Sequence, residues 1–176
     1  MIKYLFLDID GVLNHDVWFS SPEYKNNQAN WQVSMFDPTC VARVNRILQE
    51  TGAKLVVSSS WRHMTDLSEI FAGIGLPTEF DVTPYCDVIF NLNPIRDIFS
   101  DDQDVRYWRG SEIKWWLDHN AIEDYTYCIL DDDCDMLEEQ LEYFVCTSNP
   151  RGLTDKLTNK AIEILNHGYP IKTNRG

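Results

Sequence analysis

The sequence predicts an α/β domain, a Rossmann-like three-layer sandwich in which helices cover a mainly parallel sheet. Three observations carry this expectation. Short apolar runs of strand length alternate with stretches whose apolar residues recur at helical spacing. The strongest runs end abruptly in polar residues, as strands do when their carboxyl ends border a ligand crevice. A chain of 176 residues, 44% apolar and 24% charged, is also long enough to bury a core without disulfides or a structural metal. One domain over residues 1–176 is expected.

Taken in order, Ile2 to Leu7 reads as a buried strand ending at Asp8. Residues 14–36, NHDVWFSSPEYKNNQANWQVSMF, show no helical period and read as a flap or long loop. Pro38 suits the first turn of a helix on which Val41, Val44, Ile47 and Leu48 share a face, and Gly52 stops it. Leu55 to Val57 is a second strand, ending in Ser58, Ser59 and Ser60, and a helix from about Met64 to Phe71 follows. Phe80 to Val82 reads as a strand, Pro94 to Phe99 as a helical turn and SDDQD as a loop. Ser111 suits the N-cap of a helix carrying Ile113, Trp116 and Leu117. Tyr125 to Leu130 is a third strand, ending in Asp131-Asp132-Asp133. An acidic helix around Asp135 to Leu141, a strand from Tyr143 to Cys146 and a last helix with Ala161, Ile162 and Leu165 complete the chain.

The net charge, 15 − 28 = −13, repels nucleic acid, anionic membranes and phosphorylated substrates at long range. Phosphate chemistry in such a field has to rest on a bound cation and on local guanidinium or ammonium groups. The five cysteines form no CxxC pair, which points away from a zinc site or a redox motif. With no run near the ~20 apolar residues of a membrane span and no signal-peptide pattern, a reduced cytoplasmic protein is expected.

Three strand ends concentrate the chemistry: Asp8-Ile9-Asp10-Gly11, Ser58-Ser59-Ser60 and Asp131-Asp132-Asp133. On neighbouring strands these would gather carboxylates and hydroxyls at one edge, an all-oxygen set that suits Mg2+ rather than zinc. Read singly, DxDG is also a turn sequence and the serines are also helix N-caps. Asp131, Asp133, Asp135 and Glu142 occupy positions 1, 3, 5 and 12 of a calcium loop, but position 6 is Met136 where glycine is needed.

Together and in this order, LFLDIDGVLN, KLVVSSSWR, a cation at Arg109 or Lys114, and YCILDDDCDM resemble the four motifs of the haloacid dehalogenase (HAD) superfamily of phosphatases. SSSWR with RGSEIKWWL and ILDDD resembles its small branch associated with nucleic-acid repair proteins, the phosphatase half of polynucleotide kinase-phosphatase being a more distant relative. The resemblance implies a Mg2+-dependent phosphomonoester hydrolase with an aspartyl-phosphate intermediate. In it Asp8 is the nucleophile and Asp10 the general acid and base. Ser58 binds a phosphoryl oxygen with Ser59 as alternative, and Arg109 is preferred to Lys114 as the cation of the third motif. Arg62 supplies a further cation near the phosphate. Mg2+ is held by Asp8, the carbonyl of Asp10, and Asp131 or Asp132, with Asp135 behind them.

Residues 14–36 would then be a minimal cap and the site an open one, suited to a phosphorylated nucleic-acid end or nucleotide. A small-molecule nucleotidase, a phosphoprotein phosphatase or a non-catalytic HAD-fold binding module are the alternatives. Trp18, Phe19, Tyr24 and Trp31 would form either a base-stacking platform or a packed flap.

Overall fold

The computed structural model describes residues 1–27, 30–85, 108–147, 150–168 and 170–172. The helical turn expected at Pro94 to Phe99 and the loop expected at SDDQD lie outside them. Five strands form one parallel sheet: β1 (Ile2–Leu7), β2 (Lys54–Val57), β3 (Asp81–Val82), β4 (Tyr125–Asp131) and β5 (Phe144–Cys146). Their order is β3-β2-β1-β4-β5. The chain leaves β1 toward one edge and returns to the other side of it at β4, so the topological switch lies between β1 and β4. The crevice of an open parallel sheet forms there, outside the carboxyl ends of the strands.

The strands are apolar on both faces because both are covered. Leu5, Leu7, Leu55, Val57, Cys128 and Leu130 point to one face. There they meet α4 (Pro38–Thr51), α5 (Leu67–Ile74) and α7 (Asp155–His167), numbered after the three short helices described next. Tyr4, Phe6, Val56, Tyr127 and Ile129 point to the other face, against Ile113, Trp116 and Leu117 of α6 (Trp108–Asn120). The three-layer expectation therefore holds. No helix among the described residues is long and apolar enough to cross a membrane.

Residues 14–36 depart from the reading as a loop. They contain three helices of one turn or so: α1 (Asp16–Ser20), α2 (Pro22–Asn26) and α3 (Trp31–Ser34). Helices this short cannot display a 3.6-residue period, which is why the pattern looked irregular. Their signal is in the caps instead: His15 Nδ1 accepts from the Trp18 amide, and Ser21 Oγ accepts from the Tyr24 amide ahead of Pro22. The ends of the insert are tied together, His15 Nε2 lying 2.9 Å from Asp37 Oδ2.

Other differences are smaller. α5 starts at Leu67 rather than Met64, because Ser60–His63 is a separate 3₁₀ turn capped by Ser59. The acidic helix is a 3₁₀ turn, Glu138–Tyr143. α6 starts before Ser111, since Asp135 Oδ2 accepts the Arg109 amide and supplies from another segment the cap that Ser111 was expected to provide.

Candidate active site

The site is assembled at the switch point. Asp8 follows β1, and its amide donates to the Leu130 carbonyl at 2.9 Å, so the sheet fixes the backbone from which its carboxylate projects. Asp131 is the last residue of β4, next to β1 in the sheet. Ligand oxygens of Asp8, Asp131 and Asp132 all lie within 4.8 Å of one another. Gly11 makes this approach possible. Its φ of +69° favours glycine, and a Cβ there would fall 2.3 Å from the Asp132 carboxyl carbon.

Arg109 reaches into the cluster from the first turn of α6. Its Nε is 3.2 Å from Asp131 Oδ2, its Nη2 3.7 Å from Asp8 Oδ1 and its Nη1 3.8 Å from Glu112 Oε2. Gly110 lets the helix start press against the segment after β4, because a Cβ there would meet the Leu137 amide and Gln140 Oε1 at 2.6 Å. Lys114 lies one turn further along α6, half-exposed and paired with Asp118 at 3.1 Å. The structure thus brings Arg109, not Lys114, to the aspartates. An α-helix turns 100° per residue, and five positions place the two side chains on different faces.

Of the two serines, Ser59 is the one whose hydroxyl acts on the Asp8 carboxylate, favouring its charged form. Ser58 Oγ accepts from Thr83 Oγ1 at 3.4 Å instead. β2 ends at Val57, and consecutive residues beyond it face opposite ways, so Ser59 rather than Ser58 meets Asp8.

Arg62 does not project into the open. Its side chain is 3% exposed, its Nη2 sits 2.8 Å from Glu112 Oε1, its Nη1 donates to Thr83 Oγ1 at 3.1 Å, and its guanidinium lies over the Tyr85 ring. Glu112, 4% exposed, thereby bridges Arg62 and Arg109. Sequence reasoning passed over Glu112; its only signal was an acid placed one helical turn after Arg109.

Asp10 is exposed, and both of its oxygens are held. Asn14 Nδ2 donates to Oδ1 at 2.7 Å and the Trp61 indole donates to Oδ2 at 2.9 Å. Asn14 and Trp61 also went unread in the sequence. Both donors orient the carboxylate.

Burial of negative charge dominates the electrostatics. Desolvation raises the Asp8 carboxyl above its ordinary range against the opposing pull of Arg109, and it raises Asp131 further, Asp8 adding to the effect. Asp131 Oδ2 is buried with no hydrogen bond, its approach to Arg109 Nε being a charge contact only. Asp131 Oδ1, by contrast, accepts the Asp133 amide at 3.0 Å. The carboxylates of Glu112, Asp8 and Asp131 lie against the guanidiniums of Arg62 and Arg109, and Asp132 lies beside Asp8 and Asp131. An orphaned oxygen in an all-oxygen, electron-rich cluster fits a hard divalent cation. The calcium-loop alternative fails here, because Asp131 belongs to a strand and Met136 is buried core.

A parallel sheet in the order 3-2-1-4-5 with aspartates on its two central strand ends defines a domain of the HAD class. The family model described as "HAD domain in Swiss Army Knife RNA repair proteins" matches residues 4–157, and the chain belongs to that family. No curated protein and no solved structure matches it significantly.

Proposed function

We propose that the protein is a Mg2+-dependent phosphomonoester hydrolase that works through an aspartyl-phosphate on Asp8, with a phosphorylated nucleic-acid end or nucleotide as substrate. The observation that carries the reading is the convergence of Asp8, Asp131 and Asp132 within 4.8 Å, with Arg109 3.7 Å from Asp8. Membership of a family of HAD domains in RNA repair proteins supports both the hydrolase class and the substrate class.

In this reading Asp8, Asp131 or Asp132, and the Asp10 carbonyl would hold the cation, which would supply positive charge beside the buried carboxylates and the phosphoryl oxygens. Arg109 and the Ser59 hydroxyl orient the phosphoryl group and the attacking oxygen of Asp8. Asp8 forms the new P–O bond as the bond to the leaving oxygen breaks, and Asp10 gives that oxygen a proton. Asp10 then takes a proton from water, whose oxygen attacks phosphorus and frees Asp8 and inorganic phosphate. Arg62, enclosed by Glu112, Thr83 and Tyr85, acts by steadying Glu112 and through it Arg109. Lys114 has no part in these steps.

The test is hydrolysis of an aryl phosphate with Mg2+, comparing wild type with Asp8→Asn. Asp8→Asn should fold and lose all but a few per cent of turnover, and chelator should abolish wild-type turnover. A folded Asp8→Asn variant with wild-type rate would end the covalent reading. A panel of 3′- and 5′-phosphorylated oligonucleotides, mononucleotides, sugar phosphates and phosphopeptides then decides the substrate, with preference for sugar phosphates or phosphopeptides counting against a nucleic-acid end.

A further inference from the structure

We infer that Cys134 and Cys146 form a reversible intramolecular disulfide that loosens the acidic loop of the active site. Their sulfurs are 3.7 Å apart, although twelve residues separate them. Cys134 is exposed and Cys146 half-buried, so an oxidant reaches the pair, whereas Cys40 and Cys128 are fully buried. A disulfide needs a sulfur separation of about 2.05 Å, so closure requires an approach of roughly 1.7 Å, taken up by a shift of the exposed loop that carries Cys134.

The position gives the bond a consequence. Cys146 is the register partner of Asp131 across β4 and β5, and its sulfur lies 3.9 Å from the Asp132 carbonyl. Cys134 sits on the same loop, three residues beyond Asp131. The sheet runs β1-β4-β5, so a tie to β5 draws the loop away from β1. Asp132 packs over Gly11 on the β1 side, and that contact opens when the loop moves. Weaker cation binding by Asp132 follows.

With hydrogen peroxide as oxidant the step balances. One thiol takes an oxygen from peroxide to become a sulfenic acid, and one water leaves. The second thiol then displaces the hydroxyl as a second water, forming the S–S bond, so two electrons and two protons pass from the thiols to the peroxide. A dithiol reverses the bond by exchange.

The test does not depend on the phosphatase reading, since it reads mass and cation binding in the full chain carrying Cys86→Ser, which leaves Cys40, Cys128, Cys134 and Cys146 as its thiols. Mild peroxide should lower the intact mass by about 2 Da, the loss of two hydrogens, and yield a peptide pair linked through Cys134 and Cys146. Dithiothreitol should restore the mass. Adding Cys146→Ser should abolish the link and leave a sulfenic acid on Cys134 that dimedone traps. In thermal-shift titrations, the Mg2+ midpoint of the oxidised protein should rise by about fivefold, roughly 1 kcal/mol. Two thiols that still alkylate after peroxide, or links only between molecules, would overturn the proposal. So would a linked protein with an unchanged Mg2+ midpoint.

Discussion

Replacing Glu112 by Gln tests whether the two active-site guanidiniums depend on one buried carboxylate. Arg62 is 3% exposed, its Nε has no hydrogen-bond partner, and Glu112 at 2.8 Å is the anion beside it. Breaking a buried pair by removing one partner costs ~3–5 kcal/mol, because the other charge stays buried. Glutamine keeps an acceptor oxygen in the same place and should cost less, ~1–3 kcal/mol. Arg109 loses the charge of its 3.8 Å contact with Glu112 and keeps Asp8 and Asp131 as ion-pair partners. If that misplaces it by ~1.4 kcal/mol in the transition state, turnover falls about tenfold. Urea unfolding gives the stability, and Mg2+-dependent hydrolysis of an aryl phosphate gives kcat and KM. A double variant, Arg62→Leu with Glu112→Leu, adds a control: apolar replacement of both charges should recover stability without recovering kcat. Wild-type stability within ~0.5 kcal/mol together with wild-type kcat in Glu112→Gln would refute the positioning argument.

Further outcomes follow from the same geometry. Gly11→Ala should destabilise the fold by ~1–2 kcal/mol through its left-handed backbone, and should weaken Mg2+ binding by displacing Asp132, both measurable in a Mg2+-titrated thermal melt. The native Asp8 and Asp131 carboxyls are raised above their unfolded values, so their contribution is favourable at low pH and is lost as pH rises through the native values. Chelated protein should therefore lose Tm as pH climbs from about 4 to neutrality, while added Mg2+ should stabilise more at each step; a Tm gain from Mg2+ that is equal at acid and neutral pH would contradict this. Trp31, 54% exposed while Trp18, Phe19 and Tyr24 pack against their neighbours, is the flap aromatic open to a base. Trp31→Ala should lower efficiency on a phosphorylated oligonucleotide by ~1–3 kcal/mol more than on an aryl phosphate, and equal losses would remove the stacking role.

By itself the sequence determined the layers and the chemical edge. Apolar strands ending in Asp8-Ile9-Asp10-Gly11, the serines and Asp131-Asp132-Asp133 needed only local patterning, because strand length, strand ends and polar runs are contiguous in the chain. Tertiary structure decided which neighbours those ends acquire. Arg109 over Lys114 depends on where α6 starts, and that start is set by Asp135 from beyond β4. Ser59 over Ser58 depends on the last residue of β2. The Glu112 bridge, the hold of Asn14 and Trp61 on Asp10, and the meeting of Cys134 with Cys146 all join residues on different segments or different turns. Periodicity records which face of its own element a residue occupies. What faces it across the crevice is fixed only when the sheet order places β4 beside β1.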